Sequence, residues 1–329
     1  MSAATATWPR ARIVLAPFAG VALVVAGAAL WGIDGPFRTP MTSRWDSTTI
    51  VLYEHVILTC VALPFLWRHR AAIRQLSPGA WVAVIGIAWG ASALATVAFT
   101  EALNTEFAGG NPNVVFLLQK LQPLFAIGLA AVVVREYPMP RFALLLVPAL
   151  FGTYLLTFGW DMPSFEGGKA RSAGLALLAA ALWGGGTALG RRVLREAPSD
   201  ALMALRFSLA LPFLAVIAIP EHALLPAHSA GASDWMRLVL LALGSGLLAM
   251  MLYYRGLRTT PAPIATIAEL AFPATALVVN YIWLDATING WQMAGFVLLW
   301  ATIAFIYRAP VSVPRGREVA APPPLPSSA

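Results

Sequence analysis

The sequence predicts an all-α integral membrane protein with ten transmembrane helices, arranged as two inverted-topology five-helix repeats. Three observations predict it. Of 329 residues, 59% are hydrophobic and 11% charged, whereas a soluble domain carries about 25% charged residues. Ten apolar runs recur along the chain, each near the roughly 20 residues a helix needs to cross about 30 Å of hydrocarbon. Short phrases of the first half also return, in the same order, in the second.

The first run, 13–35, follows Arg10 and Arg12. It is longer than the roughly 7–15 apolar residues of a signal peptide, so it reads as a retained helix. The second, 47–67, contains Glu54, His55 and Pro64. The third, 80–102, carries Gly86-x-x-x-Gly90, a spacing that lets helices approach closely. The fourth, 112–134, reads "VVFLLQKLQPLFAIGL" at its centre and places Lys120 among apolar residues. The fifth, 141–160, holds Pro148, and the sixth, 173–193, holds Gly186-x-x-x-Gly190. The seventh, 200–220, contains Arg206 and Pro212; the eighth spans 235–256. The ninth, 262–284, contains Glu269 and Pro273, and the tenth spans 288–307. Each proline inside a span removes a backbone donor and bends its helix. The expected organisation is a cytoplasmic segment 1–12, a repeat 13–160, a periplasmic linker 161–172, a repeat 173–307 and a proline-rich disordered cytoplasmic tail 308–329.

The net charge of +7 does not point to nucleic acid. Arginines gather instead where cytoplasmic loops are expected. Segments assigned inside carry fifteen basic residues, among them Arg68, Arg70, Arg191 and Arg192; segments assigned outside carry four, Arg38, Arg44, Lys169 and Arg171. Lys120, Arg206 and Arg237 complete the 22. With an even number of spans, both termini are expected in the cytoplasm of a cell whose inner membrane holds the protein.

"ALWG" occurs at 29–32 and 181–184, and "ALPFL" at 62–66 and 210–214. "FTEALNT" (99–105) parallels "YYRGLRT" (253–259), and Pro123 parallels Pro273. Five spans per half is an odd number, so the second half enters the membrane from the opposite side. Such inverted repeats place a solute site near the midplane, between the halves.

A charge at the bilayer centre costs at least about 2.5–3.5 kcal/mol on insertion scales, so intramembrane ionisable residues face a cavity or a partner. Lys120 shares a helix face with Asn113 and Phe116. It reads either as an anchor for a substrate anion or as the partner of Glu54 or Glu269. Gln119 corresponds to Glu269 in the second half. Glu54, His55 and Glu269 are candidates for proton coupling or ion pairing, although the adjacent Glu54 and His55 are expected on different helix faces. Arg206 reads as a structural charge holding carbonyls or a helix end. Trp31 and Trp183, each followed by glycine, are read as ending equivalent helices and lining a central cavity or an interfacial belt. The single cysteine, Cys60, forms no intrachain disulfide and supports no thiolate metal cluster. "FEGGKARS" lacks the spacing of a phosphate-binding loop, and "GSGLLA" (244–249) lies mid-helix without a preceding strand. No cofactor or metal is expected, and the sequence carries no signal for an oligomeric state.

The duplicated fives, the "ALWG" of each half, "QPLFAIGLAAVVVRE", "APIATIAELAFPATALVVNYIWLD" and "LMALRFSLALPFL" together resemble the EamA-type drug/metabolite transporter superfamily, over residues 13–307. In the second span the chain departs from that family: Glu54 and His55 occupy the stretch where an arginine is usual. The resemblance implies secondary active transport of small polar metabolites, amino-acid-like or organic-anion solutes. The family includes exporters, importers and permeases; the direction expected here is export, by alternating access driven by a proton gradient or exchange. The rival readings are a passive facilitator and an integral-membrane enzyme acting on a lipid-linked substrate.

The charge count generates a topology prediction. On a Cys60→Ala background, single cysteines near Arg70 and Arg192 label only from the cytoplasmic side, and those near Asp161 and His228 only from outside. Labelling of the 70 and 192 loops from opposite faces would overturn the inversion.

Overall fold

The computed structural model describes residues 11–42, 44–107, 115, 118–119, 121–134, 140–160, 169–224, 230–283 and 289–308. Asn113, Phe116 and Lys120 lie outside the described residues, as does most of each expected terminal segment and of the linker.

The described residues form an α-helical bundle of fifteen α-helical segments and two π-helical stretches. The first half comprises α1 (Ala11–Trp31), α2 (Gly35–Thr42), α3 (Ser47–Arg68), the short α4 (Arg70–Arg74) and α5 (Pro78–Ile85). A π-helical stretch, Gly86–Leu94, continues α5 into α6 (Ala95–Phe107), and α7 (Gln122–Val133) and α8 (Pro140–Phe158) follow. The second half comprises α9 (Lys169–Val193), α10 (Ser199–Ala218) and α11 (Ala232–Leu240). A second π-helical stretch, Leu241–Leu248, leads into α12 (Ala249–Thr259), and α13 (Ala262–Ala268), α14 (Ala271–Trp283) and α15 (Gly290–Arg308) complete the bundle.

Six helices, among the described residues, are long and apolar enough to cross a membrane: 19–42, 47–68, 78–104, 171–193, 199–218 and 232–259. Large apolar side chains stand outward on the bundle, with Val132, Leu144 and Trp67 more than two-thirds exposed. That surface suits lipid, and the chain is a multi-pass membrane protein. Its interior relies on small residues: Ala88, Ala126, Ala188 and Ala265 are all fully buried. Small side chains let helix backbones approach where lipid supplies no hydrophobic drive for packing.

The stretches Pro78–Asn104 and Ala232–Thr259 share one construction, α–π–α. A π turn widens the helix locally, and such turns concentrate at functional sites. The runs 112–134 and 262–284, in each of which a proline removes a backbone donor, are interrupted. Residue 121 is a turn before Pro123. In the ninth span, Glu269 and Leu270 interrupt the helix ahead of Pro273. Proline supplies no N–H for the usual bond back to the preceding turn. The Glu269 carbonyl accepts from Phe272 N–H at 3.1 Å instead.

The two "ALWG" glycines explain themselves at these breaks. A Cβ on Gly32 would meet Thr275 Cβ at 2.6 Å, the Phe272 carbonyl at 2.7 Å and the Ala276 nitrogen at 2.9 Å. A Cβ on Gly184 would meet the Gln122 carbonyl at 2.6 Å, the Ala126 nitrogen at 2.8 Å and Phe125 Cβ at 3.1 Å. Relative to Pro273 and Pro123 these are the same three positions. The first helix of each half thus packs on the broken span of the other. Trp183 does not end its helix: α9 runs ten residues further, to Val193, because Gly184 is needed for close approach rather than as a terminator.

On the loop side, Ser77 caps α5, its hydroxyl oxygen accepting from Ala80 N–H at 3.2 Å. Its own N–H and O–H both donate to Glu196, each at 3.0 Å. These bonds hold the Glu196 carboxyl below the ordinary carboxylate range and join a first-half loop to a second-half one.

Gly32→Val and Gly184→Val should each destabilise the detergent-purified protein by about 1–3 kcal/mol or more, the cost of overpacking. Gly174→Ala, where nothing lies within 4 Å, should leave the thermal midpoint unchanged. Equal midpoints across all three variants would refute the reciprocal packing.

Candidate functional site

The proline breaks and π turns converge on one cavity of about 190 Å³, more than ten times the roughly 15 Å³ that admits a single water molecule. Its walls come from both halves. The end of α1, then α2, α3, the first π turn and the start of α7 form one side. The middle of α9, then α10, the second π turn, α12 and the α13–α14 break form the other.

At one end stands an ionic cluster. Asp34 and Arg38 are one turn apart, and the Arg38 guanidinium donates to both Asp34 carboxylate oxygens, at 2.7 and 2.9 Å. It also donates to Glu54 Oε2 at 3.0 Å. Arg38 is 3% exposed and Glu54 5%. Arg38, counted from sequence in an outside segment, is buried in the structure, where its guanidinium meets Asp34 and Glu54. Nearby, Arg44 donates to the fully buried Asp234 at 2.6 Å, tying the α2 region to α11.

A second network holds the first π turn. Arg206 donates from Nε to Ser92 Oγ at 3.0 Å, from Nη2 to the Ala91 carbonyl at 3.0 Å and from Nη1 to Tyr254 Oη at 3.0 Å. His55 lies 2.9 Å from Ser92 Oγ through Nε2 and 2.9 Å from the Val51 carbonyl through Nδ1. A carbonyl only accepts, so Nδ1 carries a proton, and Ser92 can donate to Nε2 of a neutral ring. Adjacent in sequence, Glu54 and His55 both line the cavity, contrary to the expectation of different faces. Residues about 100° apart on a helix can both reach a cavity this wide. Their partners are different, Arg38 for one and Ser92 for the other.

The third group surrounds Glu269, at the helix break. Tyr253 Oη donates to Glu269 Oε1 at 2.8 Å, and Thr187 Oγ1 donates to the same oxygen at 3.2 Å. Gln122 Nε2 donates to Oε2. Thr187 and Tyr253 lie 2.8 Å apart. Gln119, from the same span as Gln122, also lines the cavity.

Aromatic rings close the remaining wall. Trp31 lies against Tyr253 with ring centroids 5.1 Å apart, and Trp183 against Phe99 at 5.2 Å. Phe207 and Phe272 also face the space. The structure therefore brings together Trp31, Glu54, His55, Gln119, Trp183, Arg206 and Glu269 around one cavity. Sequence reasoning did not single out Asp34, Arg38, Ser92, Gln122, Thr187 or Tyr253. The Asp34-x-x-x-Arg38 spacing was a usable signal, being the i,i+4 distance of a helical ion pair. The hydroxyl and amide residues carried none, since such side chains are common in membrane helices. No group of three or more metal-ligating side chains occurs among the described residues.

Comparison with known proteins gives this geometry a context. The EamA-like transporter family matches residues 18–158 and again residues 171–308. The riboflavin transporter ImpX of Fusobacterium nucleatum subsp. nucleatum is 31% identical over 284 residues, covering 85% of this chain and 94% of that protein. A solved structure, described only as the crystal structure of a protein, superposes with a TM-score of 0.70 at 18% identity, covering 88% of this chain and 99% of that one; it shares the fold. This chain belongs to the EamA-like transporter family within the drug/metabolite transporter superfamily. It is a transporter and not an enzyme.

The ionic cluster generates a stability prediction. Arg38→Met strands Glu54 and should cost about 3–5 kcal/mol, the usual penalty for breaking a buried pair. Adding Glu54→Gln should recover most of it, because the Asp34 side chain, 24% exposed, still reaches water. Thermal unfolding in detergent of the single and double variants checks both values.

Proposed function

We propose that this chain carries a planar heteroaromatic metabolite of the flavin class across the inner membrane by alternating access. On this reading the cavity is the solute site, enclosed between two inverted-topology repeats, 13–160 and 173–307. The single observation that carries the substrate class is the composition of the cavity wall. Trp31, Trp183, Phe99 and Tyr253 line it beside the hydrogen-bonding Gln119, Gln122, Thr187 and Glu269. Aromatic faces and a few fixed polar groups are what a planar, polar-edged ring requires. An amino acid is smaller and presents no ring face of that extent. The similarity to a protein named as a riboflavin transporter supports the same class.

Two features support the two-repeat arrangement: the family match falls separately on each half, and Gly32 and Gly184 exchange places on the opposite broken spans. Rocking about those close contacts would expose the cavity to one side and then the other. Glu54 and Glu269 are the carboxylates through which a proton gradient would act. Asn113, Phe116 and Lys120 belong to the same span as Gln119 and Gln122 and are assigned to the site from sequence, Lys120 as a cation for a substrate's carbonyl or anionic edge. Arg206 is assigned a structural role on the carbonyl and hydroxyl of the first π turn.

The test is binding followed by transport. Riboflavin should quench the tryptophan fluorescence of the purified protein and should enter proteoliposomes, with a rate that responds to an imposed pH gradient. Trp31→Ala and Trp183→Ala should each weaken binding several-fold, about 1 kcal/mol. Uptake of a non-aromatic amino acid with no binding of any flavin would sink the substrate class.

A further inference from the structure

We infer that Glu269, flanked by Gln122 on one side and by Thr187 and Tyr253 on the other, recognises the imide edge of the flavin ring, O=C–N(H)–C=O. This rests on the flavin-class reading above and names the part of the solute that the site reads.

The argument is one of complementary hydrogen-bond roles. An ionised carboxylate only accepts; an amide NH₂ and a hydroxyl donate. Gln122 Nε2 stands at Glu269 Oε2, while Tyr253 and Thr187 stand at Oε1, at 2.8 and 3.2 Å. Across the cavity wall the row therefore reads donor, acceptor, donor. An imide edge reads acceptor, donor, acceptor. When it docks, the ring N–H takes the carboxylate, and its two carbonyls take the amide and hydroxyl donors that otherwise turn inward onto Glu269. All four side chains line the cavity.

Two further observations bear on the site. The Trp31 indole, 5.1 Å from the Tyr253 ring, gives the docked heterocycle a face to lie against. The helix break at Glu269 and Leu270 puts the carboxylate at an interruption of the ninth span, where the chain borders the cavity.

The experiment compares riboflavin, N3-methylriboflavin and lumichrome by tryptophan quenching on the wild-type protein, which needs no variant to fold. Lumichrome keeps the imide edge and lacks the ribityl chain. Riboflavin and lumichrome should bind, and N3-methylriboflavin should bind at least about tenfold more weakly, as expected when a charge-assisted hydrogen bond is replaced by a buried methyl group. In Glu269→Gln the riboflavin to N3-methylriboflavin ratio should fall towards one. Binding of N3-methylriboflavin within about twofold of riboflavin overturns the imide assignment while leaving the flavin class intact. Failure of all three to bind overturns both.

Discussion

The bilayer offers no water, so every backbone interruption and every ionisable side chain in this bundle has to be answered from within the protein. Most of the architecture follows from that constraint. The breaks in the runs 112–134 and 262–284 border the cavity, which Gln122, Pro123, Glu269 and Leu270 line. Their irregular backbone is approached by Gly32 and Gly184 at distances that exclude any side chain. The first π turn exposes the Ala91 carbonyl, and Arg206 covers it at 3.0 Å. Arg206 is itself tolerated because three further groups, Ser92, Tyr254 and the Met250 thioether, surround its guanidinium. Each device that would be ruinous in lipid is made stable by a neighbour from another helix.

Two of the buried carboxylates, Glu54 and Glu269, show two solutions to the same desolvation problem. Glu54 is matched by a guanidinium that also holds Asp34, an arrangement that fixes α2 against α3. A buried ion pair of this kind is costly to break and adds little net stability when whole. Its value is in specifying how α2 sits against α3. Glu269 accepts from an amide and two hydroxyls, groups that can reorient and can also donate to a solute.

Much of this was legible in the sequence, and what escaped has a physical reason. Six of the ten expected spans coincide, among the described residues, with helices long and apolar enough to cross a membrane, because lipid demands long apolar runs. The importance of "ALWG" could be seen as a repeat, but its tryptophan drew attention while its glycine does the packing. Glu54, His55, Arg206 and Glu269 stood out as charges in apolar surroundings, and all four line the cavity. Arg38 did not stand out, because a short polar stretch after an apolar run looks the same whether its arginine meets water or, as here, a buried carboxylate. The interruptions of the runs 112–134 and 262–284 fall just before Pro123 and Pro273, prolines whose missing N–H was legible in the sequence. Thr187, Tyr253 and Gln122 were invisible because neutral polar residues carry no insertion penalty large enough to demand an explanation.

In the proposed two-repeat arrangement, the halves share their backbone devices and not their side chains. Both have a first helix with a glycine on the opposite broken span, both have a π turn in the third position, and both have a proline at the break. Around those prolines the chemistry diverges: Gln122 precedes Pro123 where Phe272 precedes Pro273, and Gln119 stands where the second half has Glu269. A symmetric backbone gives two states of similar energy, since the packing lost on one side is re-formed on the other. A symmetric set of side chains, however, would bind a solute equally in two opposed orientations. With the acceptor on one half and the amide donor on the other, a ring with a single hydrogen-bonding edge fits in one orientation only. Symmetry of the scaffold thus supplies the motion, and asymmetry of the lining supplies the recognition.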